Sequence, residues 1–136
     1  MSVTGQSKDG NSPPAWAEID RDRMLANVGG DESLLKEVAG LFLHECPRLL
    51  ERIEAAIVTG DSAGLEMAAH SLKGSAGVFS ADGVYAAAEK LEVMGRDGDL
   101  AGAGAVFSSL ADETRQLQAA LADVCGLPPL VMTNRD

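Results

Sequence analysis

The stretch Ser62-Ala63-Gly64-Leu65-Glu66-Met67-Ala68-Ala69-His70-Ser71-Leu72-Lys73-Gly74-Ser75-Ala76-Gly77-Val78-Phe79-Ser80-Ala81 decides the reading of this chain. Its apolar residues Leu65, Ala69, Leu72, Ala76 and Phe79 recur at steps of three and four, the spacing of one helix face. At about 100° of rotation per residue, His70 falls on the side away from that stripe. Its neighbours on the outer face are Ala63, Glu66, Met67, Lys73, Gly74 and Gly77. Lys73 and Gly74 lie one turn on and flank the imidazole. A glycine inside a helix costs roughly 1 kcal/mol against alanine. Gly74 and Gly77 lie off the core stripe, so close internal packing does not account for them. A small, flat patch beside an exposed imidazole implies that another protein's backbone approaches there.

The same period extends outward in both directions. Upstream, Asp31 is a good N-cap for a helix carrying Leu35, Val38, Phe42, Cys46, Leu49, Ile53 and Ile57, ended by Gly60. Pro47 interrupts this run, yet the period stays in phase across it, which predicts one long kinked helix and not two. A shorter helix over about Trp16 to Val28 precedes it and stops at Gly29-Gly30. Downstream, a helix from about Asp82 to Gly95 carries Val84, Ala88, Leu91 and Met94. A last one, from about Asp99 to Val124, carries Ala103, Phe107, Leu110, Thr114, Leu117, Leu121 and Val124. The connections Thr59-Gly60-Asp61, Ser80-Ala81 and Arg96-Asp97-Gly98 are short. The expected fold is therefore all-α: an antiparallel four-helix bundle with a short additional N-terminal helix. Residues 1–14, rich in Gly, Ser, Pro and charge, read as an arm or linker. Residues 126–136 open with Gly-Leu-Pro-Pro, which stops a helix, and read as a tail. That leaves 15–125 as the folded unit.

Composition agrees. The 136 residues include 21 alanines and only 4% aromatics, which favours helices over a β-sandwich or barrel. The net charge of −10 disfavours nucleic acid as a partner. There is no polybasic anchor, no apolar run of the ~20 residues needed to span a bilayer, and no apolar core of a signal peptide in Met1 to Asn11. A cytoplasmic location without membrane contact by this segment is expected, and a monomer. Cys46 and Cys125 have no metal or redox spacing and read as small apolar residues.

Enzyme machinery is poorly supplied. No Gly-x-Ser-x-Gly elbow occurs, and Lys73-Gly74-Ser75 is not a phosphate-binding loop. Asp97-Gly98-Asp99 starts like a calcium loop, but Ala101 offers no ligand and no closing Glu follows. A di-iron bundle needs two Glu-x-x-His pairs, and neither His44 nor His70 has Glu three residues before it. His44 has no lysine or glycine beside it and reads as structural. No carboxylate cluster is expected beside His70 beyond Glu66.

The run from Ala69 to Ala81 resembles the signature of histidine-containing phosphotransfer (HPt) domains: His70-Ser71-Leu72-Lys73-Gly74, a small-residue turn, then Val84, Ala88 and Leu91-Glu92. Gly29-Gly30-Asp31-Glu32, Leu34-Leu35, Phe42 and Pro47 are similar to the family's lead-in. The likeness covers about residues 17–122. Ser80 departs from it, since the family often has Gly there. The resemblance implies a phosphorelay intermediate. His70 accepts a phosphoryl group from an aspartyl phosphate on a response-regulator receiver domain and passes it to another receiver aspartate. Nε2, the nitrogen that projects furthest, is the attacking atom. Lys73 offsets charge on the transferring group. Gly74, Gly77, Met67, Ala63 and Glu66 form the docking face. This chain binds no cofactor of its own, and the receiver's acidic site supplies Mg2+. A sensor histidine kinase stands upstream, with this chain either free-standing or the cytoplasmic end of a hybrid kinase.

Two other readings share these residues. HPt domains also form the first module of chemotaxis-type kinases, phosphorylated by a separate ATP-binding domain. A helical adaptor that docks on a receiver without being phosphorylated needs only the flat face. Acid-labile, base-stable phosphate on His70 separates the adaptor from the other two.

Overall fold

The computed structural model describes residues 21–124, which form five helices and, among the described residues, no strand. These are α1 (Arg21–Asn27), α2 (Glu32–Thr59), α3 (Ser62–Val78), α4 (Asp82–Asp97) and α5 (Ala103–Val124). Their ends follow local chemistry. Asp31 accepts a hydrogen bond from the Leu34 amide at 3.1 Å, satisfying one of the orphan donors of α2. Asp61 does the same for α3, accepting from the Gly64 amide at 3.0 Å. Gly60, with φ +73°, ends α2 in the left-handed conformation that glycine adopts without steric cost. Pro47 sits inside α2, and the helix is a single element across it, as its phase requires.

Two boundaries differ from expectation, and a third is seen only in part. The first helix is seen as Arg21–Asn27, and the part anticipated over residues 16–20 lies outside the described residues, as do the arm 1–14 and the tail 126–136. Helix α4 runs past Gly95 to Asp97, because Gly95 is a buried packing residue and Gly98 (φ +73°) is the terminator. Helix α5 starts at Ala103 and not Asp99. The Asp99 carboxylate accepts from the Ala101 amide at 3.1 Å, and Gly102 turns the chain at φ +81°. Asp99 thus shapes a turn.

The inward faces are those the periodicity marked. Leu35, Phe42, Cys46, Leu49 and Ile53 from α2 meet Leu65, Leu72 and Ala76 from α3, Val84 and Leu91 from α4, and Leu110, Leu117 and Leu121 from α5 in one buried cluster, with Met24 of α1. The rings of Phe42 and Phe79 meet edge-to-face with centroids 5.4 Å apart. Met94 and Phe107 are only partly buried, at the margin of the core. Truncating a fully buried leucine such as Leu72 to alanine would cost about 2–5 kcal/mol. Helix α2 packs on α3 and α5, and α4 packs on the same two, so the four longer helices surround one core.

The turn between α3 and α4 explains why glycine suits position 80. Ser80 has φ +53°, a conformation that L side chains adopt with strain. Asn27 holds it there, its side-chain amide donating to the Val78 carbonyl at 2.7 Å and the Ser80 hydroxyl at 3.1 Å. The end of α1 is thereby tied to the turn that sets the spacing of α3 and α4.

Candidate functional site

The site is a seam between α3 and α4. Along it, Glu66 meets Arg96, His70 meets Glu92, and Gly77 meets Tyr85. Each step toward the C-terminus of α3 is matched by an equal step toward the N-terminus of α4, so the two helices run antiparallel in fixed register. Gly95 permits the close approach. A Cβ there would lie 2.6 Å from the Glu66 amide nitrogen and 2.7 Å from the Ser62 carbonyl oxygen. No side chain fits at those distances, and both obstacles are helix backbone.

His70 is on the outer face, with 67% of its side chain exposed, yet its ring is held. Nδ1 lies 2.8 Å from Glu92 Oε2, while the Glu92 side chain is only 9% exposed. The other carboxylate oxygen, Oε1, lies 2.7 Å from Lys73 Nζ. Oε1 is buried, and among the described residues that ammonium is its sole compensation. The Lys73 ammonium is 5.8 Å from the centroid of the Tyr85 ring.

The electrostatics set the tautomer. Lys73 beside it, with a smaller contribution from His70, holds the Glu92 carboxyl below its usual range, against the burial that acts to raise it. Reciprocally, the Glu92 carboxylate pushes the Lys73 ammonium above its usual value. Glu92 is therefore ionised near neutral pH and can only accept hydrogen bonds. The proton of a neutral His70 ring then sits on Nδ1, donating to Glu92, and the lone pair is on Nε2. In that neutral form, Nε2 is the unprotonated nitrogen of a ring whose side chain is largely exposed.

The anticipated site residues fall into two groups. His70 and Lys73 are brought together, through Glu92 and not by direct contact. Gly74, Gly77, Met67 and Ala63 are exposed along α3. No heavy atom lies within 4 Å of a Cβ built on Gly74, and only the Tyr85 ring edge, at 3.9 Å, meets one on Gly77. Met67, 71% exposed, lines a shallow concavity between α2 and α3 with Arg52, Ala55 and Ser71. Glu66 turns to Arg96, Oε2 to Nε 3.7 Å, and makes no contact with the ring.

The expectation that no carboxylate but Glu66 stands near His70 is corrected by Glu92. A single-helix projection shows only neighbours on the same helix, and Glu92 arrives from α4. Its signal was its place directly after the buried Leu91, at the edge of the apolar stripe. Gly95 was read as a helix end for the same reason, since its packing partner is on another element. His44 is exposed on α2. Cys46 is buried, and burial pushes its thiol up to about 12 despite a contact with Thr114 that acts the other way. Such a thiol is inert near neutral pH. Among the described residues, no three His, Cys, Asp or Glu side chains are grouped to hold a metal ion, and no helix is long and apolar enough to cross a membrane.

A protein-family model, the Hpt domain, matches residues 37–124. No curated protein and no solved structure gives a match.

Proposed function

Since the chain belongs to the Hpt domain family, whose members carry out phosphotransfer in two-component signalling with receiver domains and kinases, we propose that His70 is its phosphoryl acceptor and that Nε2 is the reacting atom. The observation that carries this reading is the exposed imidazole whose Nδ1 is bound by an ionised, buried carboxylate. Around it, the four longer helices form an antiparallel bundle capped by α1, within a folded unit of about 15–125.

The Nε2 lone pair attacks the phosphorus of a receiver's aspartyl phosphate. A P–N bond forms, the P–O bond to the aspartyl carboxyl breaks, and the carboxylate leaves with the electron pair. No proton moves: Nδ1 keeps its hydrogen, and the positive charge that the ring acquires is met by Glu92. The reverse sequence, with a second receiver's carboxylate attacking the phosphorus, returns the electron pair to Nε2. Magnesium for both steps resides in the receiver. Gly74 and Gly77 let the receiver's surface close over the ring, in-line with the scissile bond. The protein acts as a monomer in the cytoplasm.

The test is incubation of the chain with phosphorylated receiver domains, following acid-labile, base-stable phosphate on His70 and its loss to a second receiver. Transfer in both directions supports the relay. Labelling only by a separate ATP-binding kinase domain would assign the chain as a kinase module instead. Receiver binding without phosphate would make it an adaptor.

A further inference from the structure

The cation expected to meet the phosphoryl group, Lys73, is already committed. Its ammonium lies 2.7 Å from Glu92 Oε1, a buried carboxylate oxygen with no other donor among the described residues. Swinging Lys73 toward a phosphoryl group on Nε2 would leave that oxygen uncompensated, which is strongly unfavourable. A second cation stands on the same seam. Arg96 is one turn from Glu92 along α4, and Glu66 is one turn from His70 along α3. Their contact, 3.7 Å between Nε and Oε2, is too long for a hydrogen bond, and the side chains are 54% and 41% exposed. Breaking it returns Glu66 to water at little cost. Helical side chains also lean toward the helix N-terminus, so Arg96 leans toward Glu92 and the His70 ring, while Glu66 leans away from that ring.

We propose that Arg96 is the phosphoryl-binding cation of this site, held by Glu66 while His70 is free and transferred to the phosphoryl oxygens once His70 is phosphorylated. The guanidinium reaches about 6 Å along the seam, the rise of one helical turn, well within its length. Its fork of N–H donors suits phosphate oxygens better than a single ammonium does. Lys73 then acts through Glu92, and Glu66 competes with the phosphoryl group for Arg96. This inference rests on the phosphohistidine reading above.

The full-length chain, phosphorylated with phosphoramidate, is followed by 15N NMR of the arginine Nε–H groups and by 31P NMR, with the Arg96 signal assigned from its absence in Arg96→Gln. On phosphorylation, the Arg96 Nε–H resonance moves and its exchange with water slows, whereas His70→Gln treated identically shows neither change. The apparent second pKa of the phosphoryl group rises by roughly half a unit in Arg96→Gln, the size an exposed charge contact supports. It falls in Glu66→Gln, which frees the guanidinium. If the wild-type chain carries phosphohistidine and the Arg96 signal does not respond, the inference is overturned and the phosphocarrier reading stands. If His70 takes no phosphoryl group, that reading fails and the inference with it.

Discussion

Replacing Gly95 by alanine adds one methyl group where α3 and α4 touch. That carbon would sit 2.6 Å from the Glu66 amide nitrogen and 2.7 Å from the Ser62 carbonyl oxygen, whereas ordinary contact begins at 3.4 Å. Both obstacles belong to the backbone of α3, so no side chain can swing aside. The helices must part by the better part of an ångström. Overpacking costs about 1–3 kcal/mol; against unyielding backbone it falls at the upper end, about 2–3 kcal/mol, and alanine recovers roughly 1 kcal/mol of helix propensity. The net loss is about 1–2 kcal/mol, or roughly 5–10 °C in Tm for a domain of this size. The same movement strains the 2.8 Å contact between His70 and Glu92, one turn away. Phosphotransfer then slows by an amount approaching the ~10²-fold that a 1 Å misplacement can cost. Gly74→Ala is the control, because its Cβ meets nothing within 4 Å. It should gain up to roughly 1 kcal/mol and still transfer more slowly, since the added atom stands between His70 and its partner. Urea unfolding and transfer rates from a phosphorylated receiver check both variants. A Gly95→Ala protein as stable as the wild type would refute the argument that backbone contact sets the seam. A Gly74→Gln protein destabilised by several kcal/mol would refute the outward-facing role of Gly74.

His70→Gln should fold like the wild type, since exposed substitutions shift stability by under ~0.5 kcal/mol, and accept no phosphate; residual phosphohistidine would move the site to His44. Glu92→Gln keeps the shape but frees the ring to choose its tautomer, so transfer should fall about 10-fold or more, with unchanged rates sinking the tautomer argument. Lys73→Ala should slow transfer, and lower stability by leaving Glu92 uncompensated; a Tm equal to that of the wild type would contradict the latter. The pH dependence has a definite sign. Glu92 is held below its ordinary value, so its contribution is present above the usual carboxylate range and lost as pH falls through its folded value; Lys73 is held above its own, so its contribution is lost as pH rises past the usual lysine range. Between the two, the stability difference between wild type and Lys73→Ala should be flat, and calorimetry across pH measures it. In a Cys125→Ser background, Cys46 should resist thiol reagents at neutral pH until the protein unfolds, because its thiol is pushed up to about 12.

The helices were legible because Leu65, Leu72, Phe42, Ile53 and their like repeat at the helical period, and because Asp31, Gly60 and Asp61 punctuate it with known chemistry. His70 and the open face at Gly74 were legible for a related reason: rotation about one axis tells outward from inward. Glu92, Arg96 and Gly95 matter through atoms on α3, and no property of α4 alone reveals the register in which the two helices meet. Asp99 misled because a good helix-capping residue is also a good turn residue, and Gly102, three residues later, decided between them.

The seam has one more consequence. Among the described residues, the polar groups that hold the imidazole belong to the α3–α4 hairpin, and α2 and α5 contribute apolar backing. The outer wall of α2 nevertheless borders the open face of α3, with Leu41 62% exposed on it and Arg52 lining the concavity that also holds Met67 and Ser71. The groups that hold the imidazole and the wall beside its open face thus belong to different helices. Substitutions at Leu41 or Arg52 would therefore reshape that wall without touching a group that holds the imidazole.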